Sequence, residues 1–188
     1  LAVSETPPSV LERPPAEEIL LDENRVADGH AYHRVGSMSV SPDHQLLAYA
    51  VDNNGAEKYR LRVRDLATGE DIHEVGLDVY YGIAWCSDNA TIYYVTLDAA
   101  HRPWRLHRHR LGVADDVVVW QEEDETLFVS VSRMRSGAYV LLSLGSHTTT
   151  ELVVFAAADP QAEPRVIAPR RQGVEVGVAH SGDWFYFW

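Results

Sequence analysis

The chain has 188 residues, 46% hydrophobic and 23% charged, a globular composition and not a disordered one. Its formal net charge of −12 argues against nucleic acid as a partner, because no basic stripe is available to meet phosphates. A single cysteine, Cys86, excludes an internal disulfide scaffold, and the longest apolar run, at 152–158, is far too short to span a membrane.

From the N-terminus, "PPSVLERPPAEE" places four prolines in twelve residues, so residues 1–16 are expected to form an exposed arm or linker. No basic segment precedes an apolar one there, which argues against a signal peptide; a cytoplasmic protein without a membrane partner is the expectation. "EEILLD" (17–22) is expected to be the outer strand of a preceding unit, with 17–35 its end and connection. "SMSV" then leads through the turn "SPDH" into "QLLAYAV", and "NNGAE" supplies residues that tolerate positive φ in a tight reversal. In "YRLRVRDL", Tyr59, Leu61 and Val63 alternate with Arg60, Arg62 and Arg64, a period of two that belongs to a strand. "ATGE" turns the chain again and "DIHEV" forms a fourth strand.

Shifting the sequence by 45 residues starts the pattern again, pairing Asp43 with Asp88, Tyr49 with Tyr94, Arg60 with Arg105, Leu61 with Leu106, Leu66 with Leu111 and Asp71 with Asp116. A third copy begins at "LFVSVSRMRSGAYVLLSL" and a fourth at "VEVGVAHSGDWFYFW". Four antiparallel strands in each such period are the size of a propeller blade, and no sustained helical periodicity supports a helical solenoid. The expected fold is all-β: a partial β-propeller with about three full four-stranded antiparallel blades, at 36–80, 81–126 and 127–173, plus parts of two more. The last begins at 174–188 and stops inside the apolar strand "DWFYFW", so the chain is expected to be a fragment.

These segments resemble the propeller of oligopeptidase B, in the prolyl oligopeptidase family of serine peptidases. The resemblance runs from "DENRVADGHAYHRVGSMSVSPDHQLLAYAVDNNGAEKYRLRVRDLATGE" through "LDAAHRPWRLHRHRLG", "SRMRSG" and "LGSHTTTEL" to "EPRVIAPRRQGVEVGVAH". It covers about residues 17–188 and departs at Ala100, where the family usually carries an acidic residue. It implies a seven-bladed propeller above an α/β-hydrolase domain of the same parent chain, which holds the Ser-Asp-His triad. It also implies that the propeller limits entry to short peptides and that cleavage follows Arg or Lys.

The chain itself carries no G-x-S-x-G nucleophile elbow, so no catalytic residue is expected in it, and no cofactor. His101, His107 and His109 have the look of a metal cluster, but the last two align with Arg62 and Arg64 and read as a polar strand face; no metal ligand is assigned. Cys86 reads as a half-buried structural residue, "NAT" at 89–91 as a chance sequon, and "EEDE" at 122–125 as a solvated loop in preference to a steering patch for basic peptides. Arg102, Arg133 and Arg135 are the candidates for contact with the hydrolase domain or the central tunnel. Two functions follow: a substrate-gating wall of an oligopeptidase, inactive alone, or a free-standing scaffold that binds proteins. The scaffold lacks the Gly-His and Trp-Asp signatures of WD repeats. A partial ring leaves blade faces open, so self-association of the isolated chain is expected.

Overall fold

The computed structural model describes residues 18–188, so the proline-rich arm lies outside the described residues. The segment 18–22 forms no strand, contrary to the expectation of an outer strand there. Asp22 instead caps the single turn α1 (Glu23–Val26), its carboxylate accepting from the backbone N–H groups of Asn24 at 3.1 Å and Arg25 at 3.3 Å. Beside it, Leu21 packs against Leu47, Tyr49 and Val51, whereas Ile19 and Leu20 stay exposed.

The first blade contains β1 (Arg34–Val40), β2 (Leu46–Asp52), β3 (Tyr59–Asp65) and the first part of β4 (Asp71–Trp85), all antiparallel. The second contains the rest of β4, then β5 (Thr91–Leu97), β6 (Pro103–Arg110) and β7 (Val117–Gln121). The 15-residue β4 thus leaves one blade and enters the next, and Val79 pairs with Tyr59 on one side and Thr96 on the other. The third blade is a separate sheet ordered β11-β10-β9-β8, from β8 (Phe128–Arg133), β9 (Tyr139–Gly145), β10 (Thr150–Ala156) and β11 (Arg165–Ala168). The hairpin β12 (Val178–Ser181) and β13 (Trp184–Phe187) begins another.

Alternation decides which side chains are buried. Tyr59, Leu61 and Val63 are fully buried, whereas Arg60 on the opposite face is exposed. With Trp85, Ile92 and Tyr94 they make the core between the first two blades. The core between the second and third joins Tyr93, Val95 and Leu106 to Val129, Val131, Leu142 and Phe155. Polar contacts hold the same seams. Trp85 Nε1 donates to the Ser39 carbonyl at 2.9 Å, the Asp43 N–H donates to Asn89 Oδ1 at 3.0 Å, and the Ser87 N–H donates to the Ala157 carbonyl at 2.7 Å.

The turns repeat with the strands. His44, Asn89, Gly137 and Gly182 occupy the left-handed region, with φ of 61°, 56°, 74° and 59°, in the hairpins that close the first two strands of successive units. Asp43 and Asp88 brace two of these hairpins by accepting from the N–H groups of Gln45 and of Ala90 and Thr91. Gly82 has a different reason. It lies in β4 at φ +103°, where a Cβ would stand 2.7 Å from the Val131 carbonyl oxygen of β8. Gly82→Ala is therefore expected to cost roughly 3–5 kcal/mol in chemical denaturation, through backbone strain and a forced separation of two blades. Gly69→Ala, at φ +71° in open space, is the control and is expected to cost about 1–2 kcal/mol.

Candidate functional site

The repeated identities become a repeated contact. In the first blade the Tyr49 hydroxyl donates to Asp71 at 2.6 Å; in the second the Tyr94 hydroxyl donates to Asp116 at 2.5 Å. Each pair ties the second strand of its blade to the start of the fourth. Burial first, and then the Asp71 bond, pushes the Tyr49 hydroxyl up to about 12, and the same causes raise Tyr94. Both phenols therefore remain donors. The third member differs between blades. Arg64 Nε meets Asp71 at 2.8 Å, whereas His109, at the matching position, brings Nδ1 to 2.6 Å from Asp116.

The histidines do not form a metal cluster: among the described residues no three His, Cys, Asp or Glu side chains are placed to hold an ion. His107 stacks on the Tyr94 ring, and its Nε2 lies 2.9 Å from Thr96 Oγ1. Burial lowers the His107 imidazole below its ordinary value and keeps it neutral at physiological pH. His101 is an exposed turn residue with φ of 61°. The turn at Ala100 is intact without an acidic residue there, because Asp98 accepts from the N–H groups of Ala100 at 2.8 Å and Arg102 at 2.9 Å.

Cys86 is fully buried, and burial pushes its thiol up to about 12, so it supplies no thiolate. The expectation that it is only half-buried gives way because its neighbours Tyr93, Phe155 and Ala157 pack the seam from both blades. Asn89 of the "NAT" motif lies half-buried in the hairpin, with its Oδ1 occupied by the Asp43 N–H. Ser136 Oγ lies 2.9 Å from His180 Nδ1, yet among the described residues no carboxylate hydrogen-bonds that imidazole, so the orienting third member of a triad is missing.

The three candidate arginines separate. Arg102 turns inward, being 9% exposed, and donates to Asp98 and to the carbonyls of Glu122, Asp124 and Leu127. It binds the link from the second blade to the third. Arg133 donates to Ser87 Oγ at 3.0 Å and to the Gly137 carbonyl at 2.9 Å, which joins the same two blades near their hairpins. Arg135 is exposed, on a groove that Leu141, Val178 and His180 also line.

The run "EEDE" is not only a solvated loop. Glu122 is buried and receives Arg170 Nη2 at 2.6 Å and Nη1 at 3.2 Å, while Arg170 Nε reaches Glu151 at 3.0 Å. Nothing in the local spacing of "EEDE" announces Arg170, 48 residues beyond Glu122. Burial alone would raise the Glu151 carboxyl, but the Arg170 side chain and N–H outweigh it and hold the carboxyl below its ordinary value. Glu123 and Glu125 remain exposed beside this cluster.

The geometry of the described residues therefore offers hydrogen-bonded blades and tied seams: a β-propeller wall. The chain belongs to the prolyl oligopeptidase N-terminal β-propeller family, whose model matches residues 3–188. It is 33% identical over 171 residues to Protease 2 of Moraxella lacunata, covering 89% of this chain and 25% of that protein. It is 34% identical over 170 residues to dipeptidyl aminopeptidase BI of Pseudoxanthomonas mexicana, covering 89% of this chain and 23% of that one. The chain thus spans about a quarter of the length of these relatives. Among solved structures, oligopeptidase B from Trypanosoma brucei, in a closed form with covalently bound antipain, matches with a TM-score of 0.79 at 27% identity. That match covers 88% of this chain and 24% of the other. Oligopeptidase B from Leishmania major shares the fold with a TM-score of 0.81 at 24% identity, over 92% of this chain and 25% of that one.

The Arg170 cluster yields a test. Arg170→Met leaves Glu122 and Glu151 buried without a cation and is expected to cost roughly 3–5 kcal/mol at neutral pH. The sign of the acid limb follows from Glu151. Its lowered carboxyl contributes stability above the ordinary value of about 4.3, lost as pH falls through the lowered one. Denaturation at a series of pH values should show the variant weaker at neutrality and less sensitive to acid; an unchanged acid limb would contradict the assignment.

Proposed function

We propose that the chain is the substrate-gating part of a serine oligopeptidase, whose α/β-hydrolase domain lies elsewhere in the same parent chain. The observation that carries this reading is the family match over 3–188 in a chain about a quarter as long as its relatives. The chain contributes rigidity and exclusion. Blades locked face to face form a rim that admits short peptides and turns folded proteins away, with no catalytic residue and no cofactor of its own. Cleavage after Arg or Lys in the cytoplasm belongs to the same proposal. The net charge of −12 and the exposed Glu123 and Glu125 favour attraction of basic peptides. Arg135, exposed beside the groove, is the arginine left to meet the hydrolase domain. Separated from its parent, the chain self-associates through its open blade faces.

Similarity to a dipeptidyl aminopeptidase supports a second reading of the parent enzyme, the removal of N-terminal dipeptides. One experiment separates the readings: hydrolysis of short fluorogenic peptides with internal arginine, N-terminally blocked or free, by the full-length protein and by this chain alone. The full-length protein is expected to cleave both forms and this chain neither. Cleavage of only the free form would favour the dipeptidyl reading. Inactivity of the full-length protein toward every such peptide would overturn the peptidase reading and favour a binding scaffold.

A further inference from the structure

The seam between the first two blades holds a hydrogen-bonded chain that the wall does not require. Tyr94 and His109 Nδ1 both engage Asp116, at 2.5 and 2.6 Å. A carboxylate only accepts, so neutral His109 carries its proton on Nδ1 and a lone pair on Nε2. That Nε2 lies 3.0 Å from Nε2 of His73, on the outer strand of the first blade, with ring centroids 5.0 Å apart and planes 30° from parallel. His109 is 3% exposed and His73 only half-buried, so protons reach the pair from the His73 side. In the first blade the matching position is Arg64, whose guanidinium serves Asp71 without titrating.

We propose that His73, His109 and Asp116 form a proton-operated latch across this seam. With no added proton, His73 Nε2–H donates to the His109 lone pair. One added proton makes His109 an imidazolium against Asp116, and His73 moves its own proton to Nδ1 and accepts through Nε2. A second added proton places an N–H on both facing nitrogens and a positive charge on both rings. The bond is then lost and the rings repel, which drives β4 away from β6.

The surroundings do not relieve that charge. On the second blade, Tyr94 is held as a neutral donor, His107 is kept neutral by burial, Arg105 adds positive charge along β6, and Asp116 balances one histidine. On the first blade, Val63 pairs opposite His73, while Asp71 and Glu74 are engaged by Arg64, Arg60 and Arg62. The open seam binds a proton that the closed one refuses, so stability of the contact rises with pH.

Hydrogen exchange in the full-length protein, corrected for intrinsic rates and compared at about pH 7.5 and about pH 5, tests the latch within the range where histidine changes charge. Peptides covering 71–79 and 91–110 are expected to exchange about tenfold faster at the lower pH, as the loss of one such contact implies, while 139–156 stays constant. His73→Gln keeps an N–H for His109 but takes up no proton, and should reduce the response to less than about twofold. His109→Gln likewise takes up no proton and offers His73 an amide that can accept or donate, so it should do the same, which keeps the comparison available if the first variant folds poorly. An acid response undiminished in these variants, or equal acceleration in all blades, would overturn the proposal.

Discussion

Burial between the faces of consecutive blades is the constraint from which the rest of the structure follows. A four-stranded antiparallel sheet with apolar residues on both faces has no stable existence alone in water, and each blade here uses its neighbours as the missing half of its core. That requirement explains why β3 alternates so strictly, why Trp85 is buried to nothing against Ser39, and why Gly82 has no room for a side chain beside Val131. It also explains the charged groups at the seams. Where the chain must pass between blades, polar backbone is withdrawn from water, and Arg102 and Arg170 satisfy the carbonyls and carboxylates left there.

The same constraint decides what was legible in the sequence. Period two in "YRLRVRDL" and the 45-residue recurrence state the blade, because alternation and tight turns are local requirements written in neighbouring residues. Even the identities of Tyr49 with Tyr94 and Asp71 with Asp116 carried structural meaning, as one hydrogen bond built twice. Contacts across seams were not legible. Arg170 meets Glu122 and His73 meets His109 over 48 and 36 residues, and no local spacing encodes a partner supplied by another blade. The failure at 18–22 has a different origin: "ILLD" has a strand's composition, but Asp22 forms a helix cap and Leu21 a packing contact, which use the same residues otherwise. Arg102 reads as a surface charge in its turn because the three carbonyls that its guanidinium meets lie 20, 22 and 25 residues away.

A structure of this kind acts by being stiff. Its strands pair in antiparallel register, its hairpins are braced by aspartates, and its seams combine apolar cores with directed hydrogen bonds. In the proposed function that stiffness keeps the rim at a fixed width, and the reaction belongs to groups carried elsewhere. The wall need not be inert in every joint. Two blades built to one plan differ at the position that meets this aspartate, arginine in one and histidine in the other, and the histidine places a titratable bond where its counterpart has a permanent one.

Toward the end of the described residues, Phe128 is 51%, Trp184 70% and Trp188 75% exposed. If burial between blade faces governs this architecture, such a surface does not remain in water unaided. Sedimentation velocity of the isolated chain, over a range of concentrations and beside the full-length protein, tests this most directly. Concentration-dependent self-association of the isolated chain and its absence in the full-length protein are the expected result. A cooperatively folded isolated monomer at every concentration would contradict it.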